Sequence, residues 1–235
     1  FIELEDAHVH CDINNANCTI SMKWGDKIPY KNEWPIAGVG NAGNAAVAAA
    51  RLGLATDLLA TVGNDDDGNK IKKIYETEHI SNNFLETSPS LPSNNAYVLL
   101  FNAERTILVK QFEYPYTLPV AKLEKHKPSW VYFTSICNHT EQFHNDFAEW
   151  VQKNPEVKLA FQPGTFQMKL GTDVLKNIYA ASTAVFCNKE EAQRILNLPN
   201  ENDYAKLHTA MRALGPKMVI ITDGPNGLTA SNENG

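Results

Sequence analysis

The apolar positions change rhythm along this chain. Near the start, His8-Val9-His10-Cys11-Asp12-Ile13 and Thr19-Ile20-Ser21-Met22-Lys23-Trp24 alternate loosely, the period of two expected of exposed strands. Residues 94–101 and 105–110 form a second alternating pair, with Asn102-Ala103-Glu104 as the turn. Further on, short apolar runs at 56–61, 130–135, 157–161, 184–187 and 218–222 read as buried strands. Between them, 67–79, 141–153, a stretch from 189 and 203–214 carry helical spacing. Apolar strands alternating with helices predict an α/β fold, a mostly parallel sheet with helices on both faces. Ligands of such sheets bind beyond the carboxyl ends of the strands.

The segment Ala37-Gly38-Val39-Gly40-Asn41-Ala42-Gly43-Asn44 interrupts this pattern, followed by the small-residue run 45–52 and then Gly53. Small residues let a helix pack closely on a sheet, and a glycine beyond the last turn ends it. Gly38-x-Gly40-x-x-Gly43 spells the dinucleotide fingerprint, which requires a strong strand just before it. The residues before it, Lys31-Asn32-Glu33-Trp34-Pro35-Ile36, are polar and broken by proline, so that reading is set aside.

Composition narrows the function. A chain of 235 residues holds one substantial core, and 43% hydrophobic with 20% charged residues is ordinary for a globular protein. The net charge of -6 argues against a nucleic-acid partner, which needs a basic face. No apolar run reaches the ~20 residues of a membrane span. Of the four cysteines, Cys137 and Cys187 end apolar runs, where buried free thiols are common; this favours a reducing cytoplasm.

Several turns carry candidate chemistry. Asn188-Lys189-Glu190-Glu191 follows a strand and fits a capping box, Asn188 capping the helix while Glu191 reaches back. A capped helix start also favours a phosphate, so a structural and a binding role are compatible. Thr222-Asp223-Gly224-Pro225-Asn226-Gly227 ends another strand and is a good turn sequence in its own right. His8-x-His10-Cys11 with Cys18 has a passing look of a zinc site. The spacing fits no standard pattern and Cys11 points away from the histidines, so plain strand residues are preferred. Asp65-Asp66-Asp67 lacks the downstream Glu of a calcium loop and reads as a helix start.

Gly40-x-x-x-Asn44, the helix ending Arg51-Leu52-Gly53, and Val62-Gly63-x-Asp65-x-x-Gly68 together resemble the first signature of the PfkB family, the ribokinase-like carbohydrate and nucleoside kinases. Val39 stands where the family usually has a first glycine. Asn188-x-x-Glu191 is similar to the family's Asn-x-x-Glu motif, and Thr222-x-Gly224 with Gly227 to its nucleotide turn. The resemblance covers roughly residues 37–230. It implies one ribokinase-like domain over 1–235, incomplete at both ends, with a small β-sheet lid drawn from about 8–36 and 94–112. It implies ATP-dependent phosphoryl transfer to a hydroxymethyl group of a sugar; a nucleoside kinase or a non-catalytic, dimerising binder are the alternatives. Gly40, Asn41 and Asn44 would face the substrate. Asn188, Thr222, Gly224 and Gly227 would serve the nucleotide, and Glu191 would help hold Mg2+. The same likeness leaves open a homodimer through the lid. Gln162 and Gly164 stand where the family often has Asp-x-Asn-x-Arg. The second signature, Asp-Thr-x-Gly-Ala-Gly-Asp with its catalytic Asp, is expected beyond Gly235, and the first strand with its sugar-gripping Asp before Phe1; Asp12 is a weaker candidate for that role.

Overall fold

A computed structural model describes residues 1–12 and 18–233. Ile13, the predicted end of the first strand, lies outside the described residues. In chain order the first elements are β1 (Ile2–Leu4), β2 (His8–Cys11), β3 (Cys18–Ser21), β4 (Tyr30–Glu33), α1 (Asn41–Arg51), β5 (Ala60–Gly63), α2 (Asp66–Thr77) and β6 (Leu85–Ser88). The middle of the chain forms β7 (Asn95–Phe101), β8 (Glu104–Lys110), α3 (Val120–Lys125), β9 (Trp130–Phe133), α4 (Glu141–Lys153) and β10 (Lys158–Phe161). The remainder is α5 (Thr165–Leu170), α6 (Lys176–Ala181), β11 (Ala184–Asn188), α7 (Lys189–Leu196), α8 (Tyr204–Arg212), β12 (Met218–Thr222) and β13 (Leu228–Asn232).

The main sheet has the order β13-β12-β11-β10-β9. Strands β9 to β12 are mutually parallel and β13 returns antiparallel. Successive residues of a strand point to opposite faces, so a run buried throughout is covered on both sides. Leu159, Ala160 and Phe161 are such a run. Val185, Val219 and Ile221 are likewise fully buried, and the helices α4, α6, α7 and α8 supply their cover. This is the α/β arrangement expected from the alternating pattern.

A second sheet of order β4-β1-β7-β8 stands apart from the first. Strands β7 and β8 pair antiparallel through a two-residue turn in which Asn102 and Ala103 both have positive φ, 50° and 65°. That is the turn whose twist suits a hairpin. Strands β2 and β3 pair only with each other, and β5 and β6 form a parallel pair. Cys11 and Cys18 sit directly opposite in the β2–β3 register and are joined as a disulfide. That bond removes both thiolates from the zinc alternative, while His8 and His10 remain exposed on β2. Cys137 and Cys187 are free and buried.

The strand predicted at 56–61 begins later, at Ala60. Asp57 instead makes an isolated bridge to Ser81.

Two polar networks fix the loops between layers. The Asp65 carboxylate caps α2 by accepting from the Gly68 amide at 2.8 Å. It also accepts from the Ser93 amide at 2.7 Å and the Ser93 hydroxyl at 2.6 Å. The Ser93 hydroxyl in turn accepts from the Gly63 amide at 2.9 Å. The glycines of the first motif thus tie the β5–α2 turn to the segment entering β7. Hydrogen bonds from Ser93 and Gly68 hold the Asp65 carboxyl below the usual carboxylate range.

In the main core, His144 bonds through Nδ1 to the Thr140 carbonyl at 2.6 Å, and its Nε2 meets Gln167 Nε2 at 3.0 Å. Gln167 accepts from the Gly164 amide at 2.8 Å. The chain is satisfied when His144 is neutral, donating from Nδ1 and accepting at Nε2. Burial pushes His144 down from its ordinary range, and burial followed by the charge of Arg212 does the same to His208. A depressed histidine leaves the unfolded chain binding more protons below about pH 6.5. Stability is therefore complete above that pH and falls as pH drops through the folded-state values. Urea midpoints between pH 8 and pH 5 should be level and then decline below about 6.5; midpoints that stay constant to pH 5 contradict this assignment.

Candidate active site

The candidate site lies at the carboxyl ends of β11 and β12. These neighbouring parallel strands end in register, Asn188 opposite Thr222. Both predicted motifs therefore begin side by side. Asn188 is the N-cap of α7: its side chain accepts from the Glu191 amide at 2.7 Å, and Glu191 Oε2 accepts from the Asn188 amide at 2.8 Å. The capping box is present, and it consumes one carboxylate oxygen of Glu191. Asn188 and Glu191 are both half-buried.

Beyond Thr222 the chain makes a single 3-10 turn, Gly224–Asn226, and returns as β13. The Asp223 amide donates to the Gly227 carbonyl at 2.8 Å. Gly227 has φ 90°, a left-handed conformation that a side chain would strain. Thr222, Gly224 and Gly227 are exposed, and no atom lies within 4 Å of where a Cβ would stand on either glycine. The turn is open to a ligand.

Sequence reasoning missed what holds this turn. The Tyr204 hydroxyl, at the start of α8, donates to Asp223 Oδ2 at 2.5 Å, and Asn226 Nδ2 donates to the same oxygen at 3.0 Å. These two bonds, Tyr204 first, hold the Asp223 carboxyl below its usual range. Lys189 Nζ lies 5.4 Å from the centre of the Tyr204 ring. Tyr204 and Asp223 are far apart in sequence and share no motif, so no local signal announced the pair.

At the end of β10, Gln162 accepts a short hydrogen bond from the Tyr132 hydroxyl. Gly164 starts α5 beside Ser135, whose Oγ would lie 2.3 Å from an added Cβ. Gln162 and Gly164 thus serve the local packing of this loop.

Gly40, Asn41 and Asn44 stand on a different element, the start of α1. Gly40 is the N-cap and its carbonyl accepts from the Asn44 amide at 2.8 Å. The Tyr75 hydroxyl donates to the Gly38 carbonyl at 3.1 Å, pinning the loop to α2. Asn41 and Asn44 are exposed, and Asn44 lines a groove of about 630 Å³ with Ile36, Val39, Val47, Arg51 and Leu52. The strand ahead of the glycines is β4, exposed throughout and antiparallel to β1, which is not the buried parallel strand of a dinucleotide site. Helix α1 packs beside β9. Strands β11 and β12 stand two and three places from β9 in the main sheet.

Where magnesium serves phosphoryl transfer it is commonly held by one or two carboxylates, with substrate phosphates and waters completing the shell. Glu191 fits that demand, since its second oxygen is not used by the cap. Among the described residues no group of three or more His, Cys, Asp or Glu could hold a metal by itself. Among them also, no helix is long and apolar enough to cross a membrane.

A parallel α/β core with a separate small sheet matches the ribokinase-like fold. The pfkB family carbohydrate kinase model matches residues 30–235, and the chain belongs to that family. No curated protein sequence matches it. A putative ribokinase from Agrobacterium tumefaciens is 16% identical with a TM-score of 0.73, the match covering 100% of this chain and 69% of that one. An uncharacterized sugar kinase from Pyrococcus horikoshii in complex with ATP is 17% identical with a TM-score of 0.64, covering 99% and 72%. A nucleoside kinase from Burkholderia thailandensis in complex with inosine is 17% identical with a TM-score of 0.63, covering 83% and 62%. At such identities these structures speak for the fold.

Proposed function

We propose that the protein takes part in ATP-dependent phosphoryl transfer to a hydroxymethyl group of a sugar or sugar-like substrate. The observation that carries this reading is the register of Asn188 with Thr222, which sets a capped helix start beside an open glycine turn. A capped helix N-terminus and exposed backbone amides favour phosphate groups. In this reading Asn188, Thr222, Gly224 and Gly227 hold the nucleotide and Gly40, Asn41 and Asn44 orient the substrate. Glu191 would hold Mg2+ through the oxygen its cap leaves unused. The ion, when bound, would supply positive charge against the phosphates. No residue of this sequence is assigned as the base. The family and the inosine-bound neighbour also support a nucleoside acceptor, and the groove at Asn44, largely apolar, favours that second reading.

A homodimer through the small sheet is part of the same proposal. Tyr97, Ile107, Leu108 and Val109 of β7 and β8 are exposed apolar residues, an expensive surface to leave in water.

Calorimetry decides the nucleotide. Mg-ATP should bind and NAD should not. NAD binding without ATP binding would sink the kinase reading and restore the dinucleotide one.

A further inference from the structure

The turn from Thr222 to Gly227 has little of its own to hold it. It is exposed, it contains two glycines in left-handed conformations, and its 3-10 turn has no side-chain cap. Besides the pairing of β12 with β13, its internal order rests on one side-chain bond, from Asn226 to Asp223, and three backbone bonds. These run from the Asp223 amide to Gly227, from Asn226 to Asp223 and from Gly227 to Gly224. A turn of this kind loses much conformational freedom when a ligand fixes it, and that loss is subtracted from affinity. Whatever orders the turn beforehand strengthens binding without touching the ligand.

Asp223 is the one acidic side chain in the turn, and it is held from outside. The Tyr204 hydroxyl donates to its Oδ2 at 2.5 Å from the first residue of α8. Asn226 donates to that oxygen at 3.0 Å from within the turn. Lys189, the residue after the Asn188 cap, lays its ammonium over the Tyr204 ring at 5.4 Å from the centre. Its positive charge also acts on Asp223. Three elements meet here: the β11–α7 junction, the start of α8, and the β12–β13 turn. The two motifs assigned to the nucleotide are linked by this contact as well as by the strand register.

We propose that Tyr204, Asp223 and Lys189 form a clasp that positions the Thr222–Gly227 turn against the α7 start and so sets the affinity for the nucleoside triphosphate. The proposal rests on the nucleotide reading given above. Tyr204 and Lys189 are positioning residues: they act on the ligand through the turn. The hydroxyl of Tyr204 matters more than its ring, because the hydrogen bond fixes Asp223 while the ring serves Lys189.

Mg-ATP affinity by calorimetry, with a melting curve for each protein, tests the clasp on wild type, Tyr204→Phe, Asp223→Asn and the double variant. Tyr204→Phe keeps the ring and its stacking on Lys189. It should weaken Mg-ATP binding about 3–10-fold, the range expected for one lost hydrogen bond, with the melting temperature nearly unchanged. Asp223→Asn should weaken it comparably, and the double variant should be no worse than the weaker single, because both remove one contact. A purely structural contact would lower the melting temperature and leave ATP affinity at the wild-type value; that result overturns the clasp and leaves the nucleotide reading intact. Additive losses in the double variant also overturn it. Absence of Mg-ATP binding by the wild type overturns the nucleotide reading, and the clasp with it.

Discussion

Replacing Gly68 by alanine should destabilise the fold by about 3 kcal/mol or more, at the upper end of what overpacking produces. An added Cβ would stand 2.1 Å from the Gly63 carbonyl oxygen, a backbone atom that has no rotamer to give way. Gly63 itself is closed in, since a Cβ there would lie 2.4 Å from the Ser93 amide nitrogen. Relief requires the β5–α2 turn to open, and opening it breaks the bonds from Ser93 and Gly68 to Asp65. For a chain of this size the loss appears as a melting temperature lower by roughly 6–12 °C. Asp65→Ala should cost a similar amount by removing the acceptor from three donors, two of them on Ser93. Asp66→Ala, exposed one residue away, should stay within about 0.5 kcal/mol. A Gly68→Ala protein that melts within a few degrees of wild type would show that this turn yields easily.

The Asp65 network also has a pH signature. Its carboxyl is depressed in the fold, so its contribution is fully present above the unfolded value, about 4. It is lost as pH falls through the folded-state value. The gap in stability between wild type and Asp65→Asn should therefore close in strong acid and persist at neutrality.

These networks mark the limit of what the sequence could tell. The main sheet was legible because Leu159-Ala160-Phe161 and Val219-Ile220-Ile221 are unbroken apolar runs, and such runs require burial on both faces. Strand β13 was not, because Leu228-Thr229-Ala230-Ser231-Asn232 has no marked pattern of its own. Its pairing to β12 and the bonds from His208 to Thr229 and Ser231 make it a strand. Strand β1 is too short to signal itself, and β4 is too polar. The Cys11–Cys18 bond follows from register, and register depends on the hairpin that the spacing alone does not fix.

At the candidate site the division is similar. The Asn188–Glu191 cap was readable because a capping box is local, four residues long, with chemistry that acts within one turn. The Gly63-x-Asp65-x-x-Gly68 string was visible as a motif, but its partner Ser93 comes from a distant segment, so its function as a lock was not. Tyr204 and Asp223 meet only because α8 packs against β12.

In an otherwise complete enzyme, one that also carries the base, Glu191→Gln should lower kcat by about 10²-fold, the scale of losing one charged group that stabilises a developing charge. Glutamine keeps the length of the side chain, and its amide oxygen can still accept from the Asn188 amide, as Glu191 Oε2 does at 2.8 Å. The capping box therefore survives, and the melting temperature should scarcely change. What is lost is the negative charge on the oxygen left free for Mg2+, so the magnesium concentration for half-maximal rate should rise. Substrate KM should hold steady, because Asn44 is on α1 and takes no part in the cap. Asn188→Ala makes the contrast. It removes the acceptor for the Glu191 amide and should cost about 1 kcal/mol of stability as well as nucleotide affinity. Asn44→Ala should act on substrate KM and on discrimination between sugars, since a site that bonds a hydroxyl rejects analogues lacking it. Steady-state rates at varied magnesium and sugar, with a melting curve for each variant, separate the three. Should Glu191→Gln lower the melting temperature and leave both kcat and the magnesium dependence at wild-type values, the half-buried carboxylate in the first turn of α7 would be a helix cap and nothing more.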